Sequence, residues 1–426
     1  MKIDLCRAAF VSALAGSFAL FGGPASAVDL AMYYPVAVGG PIPKIIDDLV
    51  ARFHKDNPEI NVQAIYAGNY TDTMTKAMTA MKGGQPPQLS VLLSTDAFTL
   101  IDENAIVPFD DLVADKSWFA SFYPAFMENG RIGGKTWGIP FQRSTIVLYW
   151  NKDAFGEAGL DRNKAPGTWD EMRESGKKLV KKDSVGNVIR WGVEIPSTGY
   201  PYWMLQALAI QNGQKLMNDA GNEVYFAAKK TAEALNYWVD LSRKDVVMPS
   251  GTVDWATLRT DFLEGKTAMM WHTTGNLTAV KDGARFEFGV AMLPAKERRG
   301  SPTGGGSFYI FKGASAEQQR AALKFIQWMT TPERAAEWSI KTGYVAVTPA
   351  AYDTPAMQDY AKAFPQALVA RDQLQYAVAE FSVHENGRIY KILNDAVQAA
   401  VTGQQKPDDA LNSAQVQADR VLRPYK

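Results

Sequence analysis

The chain has 426 residues, 45 Lys and Arg against 45 Asp and Glu, one Cys, and 11 Trp, 17 Tyr and 20 Phe. Zero net charge excludes the basic footprint of a nucleic-acid binder and a strong pull toward an anionic membrane surface. A single cysteine excludes an internal disulfide and a cysteine-built metal centre, whereas the aromatic surplus beyond core needs is what a sugar- or polyol-stacking cleft requires.

The first segment reads as a signal peptide. Lys2 and Arg7 form a positive n-region, Ala8 to Phe21 an apolar h-region, and Ala25-Ser26-Ala27 a small-residue cleavage site. The apolar run, about 14 residues, falls short of the roughly 20 that a spanning helix needs. Cleavage after Ala27 into the periplasm is expected. Cys6 sits in the n-region instead of at the end of the h-region, so no lipoprotein anchor is expected. A mature chain of roughly 400 residues suggests two or three domains.

Val28 to Tyr34 reads as a strand, followed by Ile42, Ile45, Ile46, Leu49, Val50 and Phe53 at helical spacing. Asn57-Pro58 stops that helix and Asn61 to Tyr66 forms a second strand. Thr71 caps a helix carrying Met74, Ala77, Met78 and Met81, Leu89 to Leu93 is a third strand, and Ala97 to Glu103 a short helix. This alternation predicts an open parallel sheet with helices on its faces. Such sheets bind at the carboxyl ends of their strands, which singles out the loops 34–43, 68–70 and 94–98.

A second block begins near Pro140. Thr145 to Trp150 is a strand, and helices are expected over 169–181, 203–211, 227–244 and 255–263. Strands follow at 268–271, 286–292 and 307–311, and the chain from Ser315 onward is mostly helical. With no long linker or repeat, two α/β lobes with a cleft between them are expected, joined by short hinge crossings. The division places 28–140 with about 273–340 in the first lobe and 141–272 with about 341–426 in the second.

Gly130-Arg131-Ile132-Gly133-Gly134-Lys135-Thr136 invites comparison with a phosphate-binding loop. Asn129 stands where the first glycine of that motif belongs, and extended sequence follows instead of a helix, so a hairpin turn fits better. His54, His272 and His384 are far apart and form no metal-spaced pair, and neither a metal nor a cofactor is expected. Thr303-Gly304-Gly305-Gly306-Ser307 either lets backbone amides approach a ligand or makes a tight turn. Trp271 to Asn276 ends a strand with an aromatic, hydroxyls and a helix cap at Thr274; a buried Trp is more often core than ligand wall.

The run Thr145-Ile146-Val147-Leu148-Tyr149-Trp150-Asn151-Lys152-Asp153-Ala154-Phe155, with Ala158-Gly159-Leu160 and Pro166-Gly167-Thr168-Trp169-Asp170-Glu171, resembles the signature of extracellular solute-binding proteins of carbohydrate ABC importers. Phe53 to Pro58, Gly138-Ile139-Pro140 and Phe262 to Met269 fit the same family in order. Gly68-Asn69-Tyr70, Arg143-Ser144-Thr145, Gly305-Gly306 and Lys341-Thr342-Gly343-Tyr344 resemble its sn-glycerol-3-phosphate-binding branch. That resemblance implies ligand contacts from Tyr70, Ser144, Gly305, Gly306 and Tyr344, with Thr274 where the branch has a contacting serine.

The chain also departs from the branch. Its first loop reads Tyr33-Tyr34-Pro35, an acidic contact after the third strand is replaced near Ser94, and the phosphate-binding arginine falls at Ser382. Losing a charge-assisted Arg–phosphate pair removes a large share of phosphate recognition; Arg143 and Arg388 are the candidates to restore it. The expectation is therefore a monomeric periplasmic binding component that closes on a polyol phosphate or sugar and delivers it to an inner-membrane permease and its ATPase. Tyr34, Tyr70, Trp203, Trp271 and Tyr344 are the expected aromatic walls. Two alternatives stay open: a neutral-oligosaccharide receptor, and a secreted glycan-processing enzyme, which needs two carboxylates about 5–9 Å apart across the cleft.

Overall fold

The computed structural model describes residues 27–426; Cys6 and the n- and h-regions read as a signal peptide lie outside the described residues. The first block runs β1 (Val28–Tyr34), α1 (Ile42–Asp56), β2 (Ile60–Tyr66), α2 (Tyr70–Lys82), β3 (Leu89–Leu93) and α3 (Ala97–Asp102). Ile42, Ile45, Ile46, Leu49 and Phe53 form the buried stripe of α1, each worth about 2 kcal/mol of burial. Asn57 ends this helix by donating its backbone N–H and side-chain amide to the Phe53 carbonyl, at 2.8 and 3.1 Å. α2 begins earlier than the Thr71 cap predicts. Asn69 Oδ1 accepts from the Asp72 N–H at 3.0 Å, and the Asp72 carboxylate accepts from the Asn69 N–H at 3.1 Å. This reciprocal capping box satisfies two helix-end donors and makes Tyr70 the first helical residue.

Next come α4 (Pro124–Met127), β4 (Arg131–Ile132) and β5 (Lys135–Thr136). Gly133 and Gly134 take φ of +59° and +75° between these two short strands, the tight hairpin turn that excludes a phosphate loop. The chain continues through β6 (Ile139–Asn151), α5 (Lys152–Glu157), α6 (Trp169–Leu179), β7 (Lys181–Lys182), β8 (Val188–Arg190), α7 (Pro201–Gln211), α8 (Lys229–Arg243) and α9 (Trp255–Leu263). After β9 (Met269–Thr273), α10 (Leu277–Gly283), β10 (Phe288–Ala291) and β11 (Ser301–Ile310), the remainder is helical apart from β12 (Ala377–Val378). Its helices are α11 (Ala316–Met329), α12 (Pro332–Thr342), α13 (Pro355–Ala363), α14 (Val369–Gln373), α15 (Asn386–Val401) and α16 (Pro407–Leu422).

The sheet order is β10-β6-β11-β3-β1-β2, with β9 on β6 and β12 on β11. β2-β1-β3 is parallel and β12 lies parallel to β11, but β11 runs antiparallel to β3 and β6; the sheet is mixed where a parallel one was expected. β6 is buried along its whole length. From Ile139 to Thr145 it pairs with β11, and from Ile146 to Trp150 with β9. It therefore runs unbroken from one group of strands into the next. β10 pairs with the β9 end of β6, at Leu148 to Asn151.

The glycine run is neither a loop nor a turn but the middle of β11. Gly305 takes a φ of +93°, and a Cβ there would lie 1.9 Å from the Gln142 carbonyl oxygen; at Gly304 it would lie 2.3 Å from the Trp203 ring. The register shift between Gly306 and Ser307 marks a bulge beside this close approach. Among the described residues no helix is long and apolar enough to cross a membrane.

Candidate functional site

Two adjoining cavities open at the carboxyl ends of β1, β2 and β3. The inner chamber, about 30 Å³, is lined by Tyr70, Ser144, Trp203, Gly305 and Tyr344, together with Tyr200, Trp255, Thr273, Leu93 and Glu380. The outer cavity, about 630 Å³, is lined by the 36–39 loop, the start of α2, Thr198 to Tyr200, Asp254 to Ala256, Arg259 and Asn276. Ala37, Val38, Tyr200 and Trp255 line both. They form the neck between mouth and chamber.

Tyr70, Trp203 and Trp255 are fixed by hydrogen bonds at their polar ends. Tyr70 donates its hydroxyl to Gln142 Oε1 at 3.0 Å, and the Trp203 indole N–H donates to the Thr303 carbonyl at 2.9 Å. The Trp255 indole N–H donates to the Ala37 carbonyl at 3.2 Å, and its ring meets Tyr200 edge-on at 4.8 Å. Tyr344 follows the left-handed Gly343 that ends α12 and stacks on Trp338 at 6.0 Å. Such rings offer apolar faces with their polar ends satisfied, the arrangement suited to stacking against a sugar or polyol.

Glu380 is the one carboxylate on the chamber wall. Asn129 holds its backbone from both sides, accepting from the Glu380 N–H at 3.0 Å and donating to its carbonyl at 2.8 Å. Tyr202 donates to Glu380 Oε1 at 2.9 Å, and Ser94 Oγ lies 3.5 Å from Oε2. Burial pushes the Glu380 carboxyl up to about 8, against the pull of Arg143 and the Tyr202 bond.

Five of the residues expected at the site line the chamber: Tyr70, Ser144, Trp203, Gly305 and Tyr344. The other seven sit elsewhere. Tyr34 is buried in the core 6.1 Å from Tyr66, and Trp271 points into the core, its indole N–H on Met172 Sδ at 3.3 Å. Ser94 lies behind the wall against Glu380, and Gly306 beneath it, where a Cβ would come within 3.0 Å of the Tyr70 ring. Thr274 accepts from the Thr145 N–H at 3.4 Å; the local cap is Thr273, which accepts from the Gly275 N–H. Ser382 donates to the Thr95 carbonyl and lines a different cavity of about 440 Å³.

Neither arginine offered for the missing anion contact reaches the chamber. Arg143 is wholly buried, its Nη1 on the Gly305 carbonyl at 2.8 Å and its Nη2 on Thr303 Oγ1 at 3.0 Å. It is a strut holding β11 to β6. Arg388 is solvent-exposed and lies 3.5 Å from Glu385. Glu380, Tyr200, Trp255 and Arg259 are lining residues that sequence reasoning missed. Among the described residues no cluster of three or more His, Cys, Asp or Glu is placed to hold a metal.

The model of the bacterial extracellular solute-binding protein family matches residues 48–365. The sn-glycerol-3-phosphate-binding periplasmic proteins UgpB of Escherichia coli K12 and Shigella dysenteriae serotype 1 are each 28% identical over 432 residues, covering 97% of both chains. Among solved structures, UgpB from Mycobacterium tuberculosis in complex with glycerophosphocholine superposes with a TM-score of 0.83 at 23% identity, covering 94% of this chain and 99% of that one. Maltose-bound MalE3 of T. maritima superposes with a TM-score of 0.80 at 22% identity, covering 93% and 100%. The fold is that of the two-lobed periplasmic binding proteins.

Proposed function

The chain belongs to the bacterial extracellular solute-binding protein family, and on that premise we propose that it captures a small polyol-phosphate or sugar solute in this cleft. It delivers the solute unchanged to an ABC permease and its ATPase. The observation that carries this reading is the aromatic chamber, which gathers Tyr70, Ser144, Trp203, Gly305 and Tyr344 from distant parts of the chain. Strand pairing supports two lobes. The β2-β1-β3 group with the β11-paired half of β6 belongs to one, and β9 and β10 with the other half of β6 to the second. On this grouping 288–291 moves to the second lobe, away from the chain-order division. Closure of the lobes brings the 36–39 loop and α2 onto Tyr200, Trp203 and Trp255 around the solute.

The curated relatives named for sn-glycerol 3-phosphate favour a phosphorylated polyol, while the lone Glu380 and the aromatic walls also suit a neutral sugar. A thermal-shift screen of the mature chain separates these readings. Ligand at a hundredfold over its Kd adds about 2.7 kcal/mol and raises Tm by a few degrees. A shift with sn-glycerol 3-phosphate or its diesters supports the first reading, and one with neutral saccharides alone the second. No shift together with turnover of a glycan would overturn both.

A further inference from the structure

Resting on the capture reading, we infer that Arg259 is the anion-holding residue of this cleft. The ligand lies with its phosphate at the mouth, against Arg259, and a head group without negative charge directed through the neck toward Glu380 and the aromatic walls.

Arg259 lies on the α9 face that lines the outer cavity. Among the described residues its guanidinium makes one hydrogen bond, to Asn276 Oδ1 at 3.3 Å, and no ion pair. That acceptor is already shared with the Gly39 N–H at 2.9 Å. The remaining guanidinium donors are uncommitted at the rim of a 630 Å³ cavity. Backbone opposite makes room for them: a Cβ on Gly39 would lie 1.4 Å from Arg259 Nη1, so any side chain there would displace the guanidinium.

The two carboxylates that share the mouth are engaged. Asp254 accepts from the Ala256 and Thr257 N–H groups at 3.0 Å and from Thr198 Oγ1 at 2.8 Å, while Asp72 closes the capping box of α2. Both spend their charge on helix N-termini, where it is favourable, which leaves Arg259 as the cation free to meet a ligand. The inner end offers no uncommitted cation. Glu380 faces the chamber, and the Arg143 guanidinium lies behind Gly305 with two of its nitrogens spoken for. A phosphate pushed inward would lose Arg259 and meet aromatic faces, whereas an ammonium gains from those faces and a polyol hydroxyl can bond the Glu380 carboxyl.

Isothermal titration of mature wild type, Arg259→Gln and Arg388→Gln tests this with sn-glycero-3-phosphocholine, glycerophosphoglycerol and a neutral disaccharide. The expected result is phosphodiester binding by wild type and Arg388→Gln. In Arg259→Gln that binding weakens about tenfold to a hundredfold, the range of a hydrogen bond to a charged group, and loses most of its salt sensitivity. Tighter binding of the choline or the glycerol diester then identifies the head. Unchanged phosphodiester affinity in Arg259→Gln would overturn the inference. So would a wild type that binds only the disaccharide, an outcome that leaves the capture reading standing. Binding of neither class would bring down both.

Discussion

Glu380 is a carboxyl placed where water is excluded, and this has a consequence in solution. Its folded value of about 8 lies above the ordinary carboxylate range, and burial raises Asp96 and Glu194 to about 7 in the same sense. The native state therefore holds protons that the unfolded chain releases. Stability present below about pH 4 declines as pH rises through the folded values. Tm of the unliganded protein is expected to fall between pH 5 and 8, and Glu380→Gln to shallow that slope; an unchanged slope would show that this carboxyl does not titrate there. Gly305→Ala is expected to destabilise by about 2–4 kcal/mol in urea unfolding, because overpacking against Gln142 adds to a strained φ. Tyr70, Ser144, Gly305 and Tyr344 were legible because they sit inside recognisable short runs. Glu380 and Arg259 were not: nothing in Ala-Val-Ala-Glu-Phe-Ser or Thr-Leu-Arg-Thr-Asp tells which way a side chain points. Trp271 misled in the other direction, since a strand tip presents alternate residues to opposite faces.

Among the elements, helix α2 shows how a cap sets a chamber-lining residue. Asn69 and Asp72 close the box that starts the helix at Tyr70, and Tyr70 then reaches Gln142 on β6. Asn69→Ala is expected to lower stability by about 1 kcal/mol, the usual loss for a removed cap, read from the urea midpoint; no change would mean that Asp72 alone holds the turn. The periodic elements α1, α2 and α8 and the strands β1 to β3 were legible from their apolar spacing. The first part of α7 was harder because the helix is buried on every face, which erases the amphipathic pattern. β11 is longer than its sequence predicts, since three consecutive glycines signal a turn by propensity, yet here they let Trp203 and the Gln142 carbonyl press against the strand.

Over the whole molecule, one continuous strand couples the two groups of β-structure. β6 exchanges β11 for β9 between Thr145 and Ile146, and Ser144, one residue short of that exchange, lines the chamber. A ligand there touches the crossing as well as both sides of the cleft, so its binding bears on how the sides sit together. Small-angle scattering is expected to show a smaller radius of gyration with saturating ligand than without, and an unchanged radius would argue for a rigid site. The alternation of strand and helix was enough to foresee α/β architecture with a cleft. The antiparallel return of β11 depends on pairings more than 150 residues apart in sequence, such as Ser144 with Gly304, which local patterns do not encode. The measurement that tests the central claim most directly is equilibrium dialysis of the mature chain with labelled ligand, followed by release and chemical analysis of what was bound. Saturation at one molecule per chain with the solute recovered unchanged is the expected result; conversion of the solute to a product, or no saturable binding of any polyol phosphate or sugar, would contradict it.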